Sequence, residues 1–193
     1  MKKIFGLLLI ITFNQSLLAQ TEIQKIQKDF ESMIFHTQKN QIDKIIDMTY
    51  PRFVKVFGKK GLTAITNGML TGMGIKTIIE ENPINLKMSK ISKLKDGSIC
   101  MGSYDNSMIM EFQDESMVAL FTMTKLDGFN IEKLEPKKIR MKGRAYLLAI
   151  NDSYTNKAWK YLNYMDELAN SPEATKVVST EIITESAKLR ASF

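Results

Sequence analysis

Residues 84–112 read INLKMSKISKLKDGSICMGSYDNSMIMEF, and this stretch decides the fold. Ile84, Leu86 and Met88 alternate with Asn85 and Lys87, the period of two that puts apolar side chains on one face of a strand. The pattern continues through Ile91 towards Lys95, where Asp96-Gly97 supplies a hairpin turn. Ser98–Tyr104 and Ser107–Phe112 follow as two further predicted strands. Cys100, the one cysteine, lies between Ile99 and Met101 inside such a strand. A lone cysteine forms no intramolecular disulfide, and in this setting it reads as a small core residue rather than a nucleophile.

Towards the C-terminus, Gln113-Asp114-Glu115 reads as a polar turn and Met117–Thr124 as a central strand, apolar on both faces at its start. Asp127-Gly128 turns the chain again. Arg144–Ile150 is the last strong strand, with Ala158–Tyr164 as its expected partner. Ser171-Pro172-Glu173 opens a helix that carries Val177, Val178, Ile182 and Ile183, so 165–193 reads as a helical extension.

Towards the N-terminus the period lengthens. Ile23, Ile26, Phe30, Met33, Ile34 and Thr37 share one face of a helix predicted over Thr21–Gln38, with Thr21 and Gln24 at capping-box spacing. Asn40 reads as the cap of a second helix bearing Ile42, Ile45 and Ile46, which Tyr50-Pro51 interrupts. Pro51 opens a short helix closed by Gly58, and Lys60–Met73 is a third helical stretch.

Ahead of these, Lys2 and Lys3 precede an apolar run from Ile4 to Thr12, a polar stretch at Asn14-Gln15-Ser16 and the small Ala19. That order is a secretory signal peptide over residues 1–19, and its apolar core is about half a bilayer span. Residues 20–193 then form a single domain, exported to the periplasm or beyond, with no transmembrane segment expected in the mature chain. The 44% hydrophobic content suits a packed core. The formal charge of +6 is dispersed, its densest cluster being Lys137–Arg144, and no recognised module accompanies it, so no nucleic-acid partner is expected.

Helices followed by antiparallel strands make an α+β domain, with the N-terminal helices packed on a curved, cone-like sheet. The break Asp47-Met48-Thr49-Tyr50-Pro51 with its aromatic run to Gly58, and the strand Leu147–Ile150 leading through Asn151-Asp152-Ser153 to Trp159, carry a resemblance. Over Glu22–Tyr164 the chain resembles the nuclear transport factor 2-like superfamily, a cone-shaped α+β fold. The second stretch is similar to a hairpin in which an Asp and a downstream Trp hold a turn together without catalytic work, although the usual glycines are missing here.

Enzymes of that superfamily, among them ketosteroid isomerase and the polyketide cyclases, use tyrosine and carboxylates inside the cone. The resemblance points to Asp47, Tyr50, Tyr104, Asp105 and Glu111 as members of such a set, but no pair has diagnostic spacing and none is assigned a catalytic role. Glu111, between Met110 and Phe112, reads as pointing outwards. His36 is the only histidine and falls off the apolar helix face, so no His-based triad or His-rich metal site is available. Thirteen methionines are many, yet they sit at core periods and read as core or pocket lining rather than copper ligands. No cofactor and no metal are expected.

The favoured function is binding of a small apolar ligand or a partner in the concave sheet face. Phe30 and Ile34 of the first helix, Met108, Met110 and Phe112 of one strand, and Phe121 and Met123 of the next are the expected lining. An isomerase, dehydratase or cyclase, and a structural homodimer joined through its sheet, are the alternatives.

Overall fold

The computed structural model describes residues 2–63, 74–81, 84–123, 128–166, 171–172 and 174–193, with residues 2–19 given by their backbone alone. In chain order its elements are α1 (Lys2–Gln38), α2 (Ile42–Met48), α3 (Pro51–Phe57), β1 (Ile75–Ile79), β2 (Lys87–Met88), β3 (Ser92–Leu94), β4 (Gly97–Phe112), α4 (Glu115–Met123), β5 (Phe129–Glu135), β6 (Lys138–Asp152), β7 (Lys160–Tyr164), α5 (Ala174–Val177) and α6 (Thr180–Arg190). The fold is α+β, built on a seven-stranded antiparallel sheet. No helix among the described residues is long and apolar enough to cross a membrane.

Two long strands are the spine of the sheet. β4 and β6 pair antiparallel from Gly97↔Asp152 to Glu111↔Lys138. Short strands line both edges: β3, β2 and β1 pair with successive parts of β4, while β7 and β5 divide β6 between them. Alternation then assigns side chains to faces. Cys100, Met108, Met110 and Phe112 share one face with Ile139, Met141, Leu147 and Ala149. Ile99 and Met101 share the other with Leu148 and Ile150.

The first face is covered in two halves. Ile26, Phe30, Met33 and Ile34 of α1 pack on Cys100, Leu147, Ala149 and Tyr161. Val118 and Phe121 of α4 pack on Phe112, Ile139 and Met141 at the other end. On the second face, Phe53 of α3 and Val177, Val178, Ile182 and Leu189 of the C-terminal helices cover Ile99, Met101, Leu148 and Ile150. The rest of that face carries charge, where Arg140 forks onto Glu80, with a second carboxylate at Glu132 3.3 Å away. Close packing explains two glycines. A Cβ on Gly102 would lie 2.6 Å from the Phe30 ring, and one on Gly97, at φ +132°, would lie 1.9 Å from the Asn151 carbonyl oxygen.

Several sequence expectations are corrected. Met117–Met123 is not a central strand but part of a helix, and Thr124 lies outside the described residues. The Asp114 carboxylate accepts from the Ser116 amide at 2.9 Å and caps that helix, which the polar-turn reading overlooked. An apolar run of this length has no periodicity to separate helix from strand. Ser98–Tyr104 and Ser107–Phe112 are one strand, since Asp105 and Asn106 keep their partners Arg144 and Gly143. α1 runs through Thr21, so no capping box forms there, and Gln41 rather than Asn40 precedes α2. Helices lie on both faces of the sheet, α1 on one as expected and the C-terminal helices on the other. Residues 59–63 are helical, and the remainder of the expected third helix lies outside the described residues. The expected pairing of Ala158–Tyr164 with Arg144–Ile150 is present as β6–β7. In place of the single C-terminal helix there are two, α5 and α6, broken at Val178-Ser179, and residues 167–170 and 173 lie outside the described residues.

Candidate functional site

The seven residues expected to line one pocket are divided among different surroundings. Phe30 and Ile34 belong to the packed cluster under α1. Met108, Met110, Phe112 and Phe121 belong to the separate cluster under α4, where the rings of Phe112 and Phe121 are 5.1 Å apart. Met123, placed by the helix on its outer side, is 83% exposed. The strand-face argument grouped Met108, Met110 and Phe112 correctly; Phe121 joins them from a helix rather than from a next strand, and Met123 turns away because that element is helical.

The tyrosine and carboxylate candidates also face different neighbours. Tyr50 is fully buried and donates its hydroxyl to the Asp152 carboxylate at 2.6 Å. Asp152 accepts in turn from the Tyr154 and Thr155 amides and caps the turn Ser153–Thr155. Trp159 closes the same region from α1's side, its indole N–H donating to Glu22 at 3.2 Å. Tyr161 donates likewise to Asp29 of α1 at 2.5 Å. Burial, and then the adjacent carboxylate, pushes the Tyr50 and Tyr161 hydroxyls above the usual phenol range. Burial pushes Tyr104 up to about 12. Asp105 is ion-paired with Arg144 at 3.0 Å, Asp47 is exposed at the end of α2, and Glu111 lies opposite Lys76 and Lys138 on the charged face. Cys100 is buried, its thiol pushed up to about 11 by that burial, which is the setting of an inert core residue. His36 is half-buried beside Gln41, 2.6 Å from its side-chain oxygen.

An apolar pocket lies on the second face, between β6–β7 and the C-terminal helices. Leu148 and Leu162 form its floor and Phe53, Val177, Ile182 and Ile183 its walls. Asn163, Tyr164 and Ser186 are the lining residues that carry polar groups, and no acidic residue among the described residues lines it. It is a small pocket, open to solvent at its mouth, with a cavity volume of about 50 Å³. Leu148 and Leu162 face it because they are cross-strand partners whose neighbours Leu147 and Ala149 turn to α1. Two sequence signals point here: the Leu147/Leu148 alternation, which buries both faces, and the β-branched run of the C-terminal stretch.

Beyond one end of this pocket lies Tyr146, the cross-strand partner of Tyr164. The Arg190 guanidinium stacks over its ring at 3.9 Å, and the Phe193 ring packs 5.8 Å away. Arg144, two residues before Tyr146 and on the same face, donates to Ser103 at 2.9 Å and to Asp105 at 3.0 Å. Compared with known proteins, the sequence matches no family model and no curated protein.

Proposed function

We propose that this protein is an exported, non-enzymatic binding protein that holds a small apolar or amphipathic ligand between β6–β7 and the C-terminal helices. The observation that carries the reading is the pocket's make-up, an aliphatic and aromatic lining with few polar groups. Small-ligand sites have this composition, in which apolar walls supply affinity and a few polar groups fix orientation. An acid–base enzyme needs proton-transferring groups around one cavity, and Tyr50, Tyr161, Asp105 and Glu111 are each engaged elsewhere. Export is supported by the order of charged, apolar and small residues over 1–19. The helix-then-meander order supports placing the domain in the cone-shaped superfamily, with the ligand on the side of the sheet away from α1.

An environment-sensitive apolar dye tests the reading. Its fluorescence should rise on mixing with the folded protein, with circular dichroism unchanged. Ser186, 2% exposed on the pocket wall, is the place to block it. S186F should weaken dye uptake about tenfold or more, since the ring occupies space the dye would otherwise fill. A folded wild-type protein that leaves the dye dark overturns the reading.

A further inference from the structure

Among the described residues, two buried side-chain nitrogens have no hydrogen-bond partner: Nη2 of Arg144 and Nε of Arg190. Both belong to the surroundings of Tyr146. Arg190 lies over its ring, and Arg144 precedes it by one same-face step, roughly 7 Å along the strand. Asp166 is ion-paired with Arg190, its Oδ2 3.7 Å from Nε and so outside hydrogen-bond distance. A buried donor without an acceptor is costly, and a guanidinium donor more so than a neutral one.

Two elements that line the apolar pocket, β6 and α6, run on towards this place. Along β6 the same-face order is Leu148, Tyr146, Arg144, passing from pocket floor to cation. Along α6, Ile183 and Ser186 line the pocket and Arg190 follows one turn after Ser186, about 6 Å further along the axis.

Resting on the proposal that the pocket holds a ligand, we infer that the ligand is a short straight-chain monocarboxylate, its chain between β6–β7 and α6 and its carboxylate on Arg144 and Arg190 beside Tyr146. A carboxylate offers two coplanar oxygens to guanidinium donors, the geometry that neutral alcohols and amines lack. The chain is short because of the enclosed space. One buried water needs at least 10–15 Å³ of such volume, so 50 Å³ takes a chain of roughly three to five heavy atoms before the mouth. Binding brings the anion to the two unsatisfied donors and competes with Asp166 for Arg190.

Isothermal titration of the full-length mature protein with hexanoate and with hexan-1-ol reads the head group directly, because the two share a chain. Hexanoate should bind at least tenfold more tightly than the alcohol. In R190Q that ratio should fall to about one to two, and R144Q should lower it in the same direction. Taking the ratio within each variant cancels any general weakening of the pocket. D166N, which removes the competing charge and leaves both arginines in place, should raise the ratio about two- to fivefold. Hexanol binding with a wild-type ratio near one overturns the carboxylate inference and leaves the pocket reading standing. A high ratio that neither R190Q nor D166N moves also overturns it, placing the anion elsewhere. If neither compound binds and the apolar dye stays dark, the pocket reading itself falls.

Discussion

Tyr50 and Asp152, 102 positions apart in the chain, meet in a bond that ties the break between α2 and α3 to the turn after β6. Tyr50→Phe keeps the ring and removes one buried hydrogen bond to a carboxylate, which costs about 1.5–3 kcal/mol. For a domain of this size the Tm should fall by roughly 3–12 °C. Asp152→Ala should cost about 1 kcal/mol more, because it also uncaps Ser153–Thr155. Calorimetry on the two variants checks the order, and an Asp152→Ala milder than Tyr50→Phe would contradict this account. The sign of the pH dependence follows from the raised tyrosine values. A phenol whose folded pKa lies above its unfolded value of about 10 contributes stability fully below that pH and loses it as pH climbs further. The urea midpoint should therefore decline above pH about 10, and decline less in Tyr50→Phe. At this scale the sequence, through its resemblance to an Asp-and-Trp hairpin, was readable for Asp152 as the holder of a turn, whereas Trp159 bonds Glu22 of α1 instead. It was silent on Tyr50 as the partner of Asp152, because nothing local to residue 50 records a contact so distant in the chain.

The single strand β4 passes through two environments. Over Ser98–Ser103 both of its faces are covered, by α1 on one side and the C-terminal helices on the other. Over Ser107–Phe112 the helix that packs against it among the described residues is α4, and the opposite face carries the ion pairs of Glu80, Glu132 and Arg140. Local stability follows buried apolar contacts, so amide exchange should be graded along one strand. The amides of 98–103 should exchange at least tenfold more slowly than those of 107–112, and equal rates would show that the spine opens as a unit. Elements with a clear period were legible: the α1 face, the alternation after Ile84, and the pairing of Arg144–Ile150 with β7. Two were not. Glu115–Met123 is apolar without a break from Met117 to Phe121 and carries no period there, so only its Asp114 cap distinguished it from a strand. Lys138–Lys142 alternates Ile139 and Met141 inwards with Lys138, Arg140 and Lys142 outwards, yet its charge drew it towards a solvated surface and hid the first half of β6.

For the molecule as a whole, the sequence conveyed the α+β class, while the side of the sheet on which a pocket opens depends on how the C-terminal helices seat, and the residues expected to line it are not those that do. Export is the prediction that belongs here. Protein recovered from the exported fraction should give, by intact mass, a chain that begins near Gln20, and a soluble cytoplasmic species retaining Met1 would refute it. The two-sided cover of Ile99–Met101 also has a consequence in time. One layer comes from the first helix of the chain and the other from the last, with Trp159 and Glu22 joined across 137 positions. The central strands stay uncovered on one side until residues 177–189 have left the ribosome, and such long-range closure is slow. A growing chain thus stays loose and extended through most of its synthesis, the state in which a polypeptide can be threaded through a narrow secretion channel.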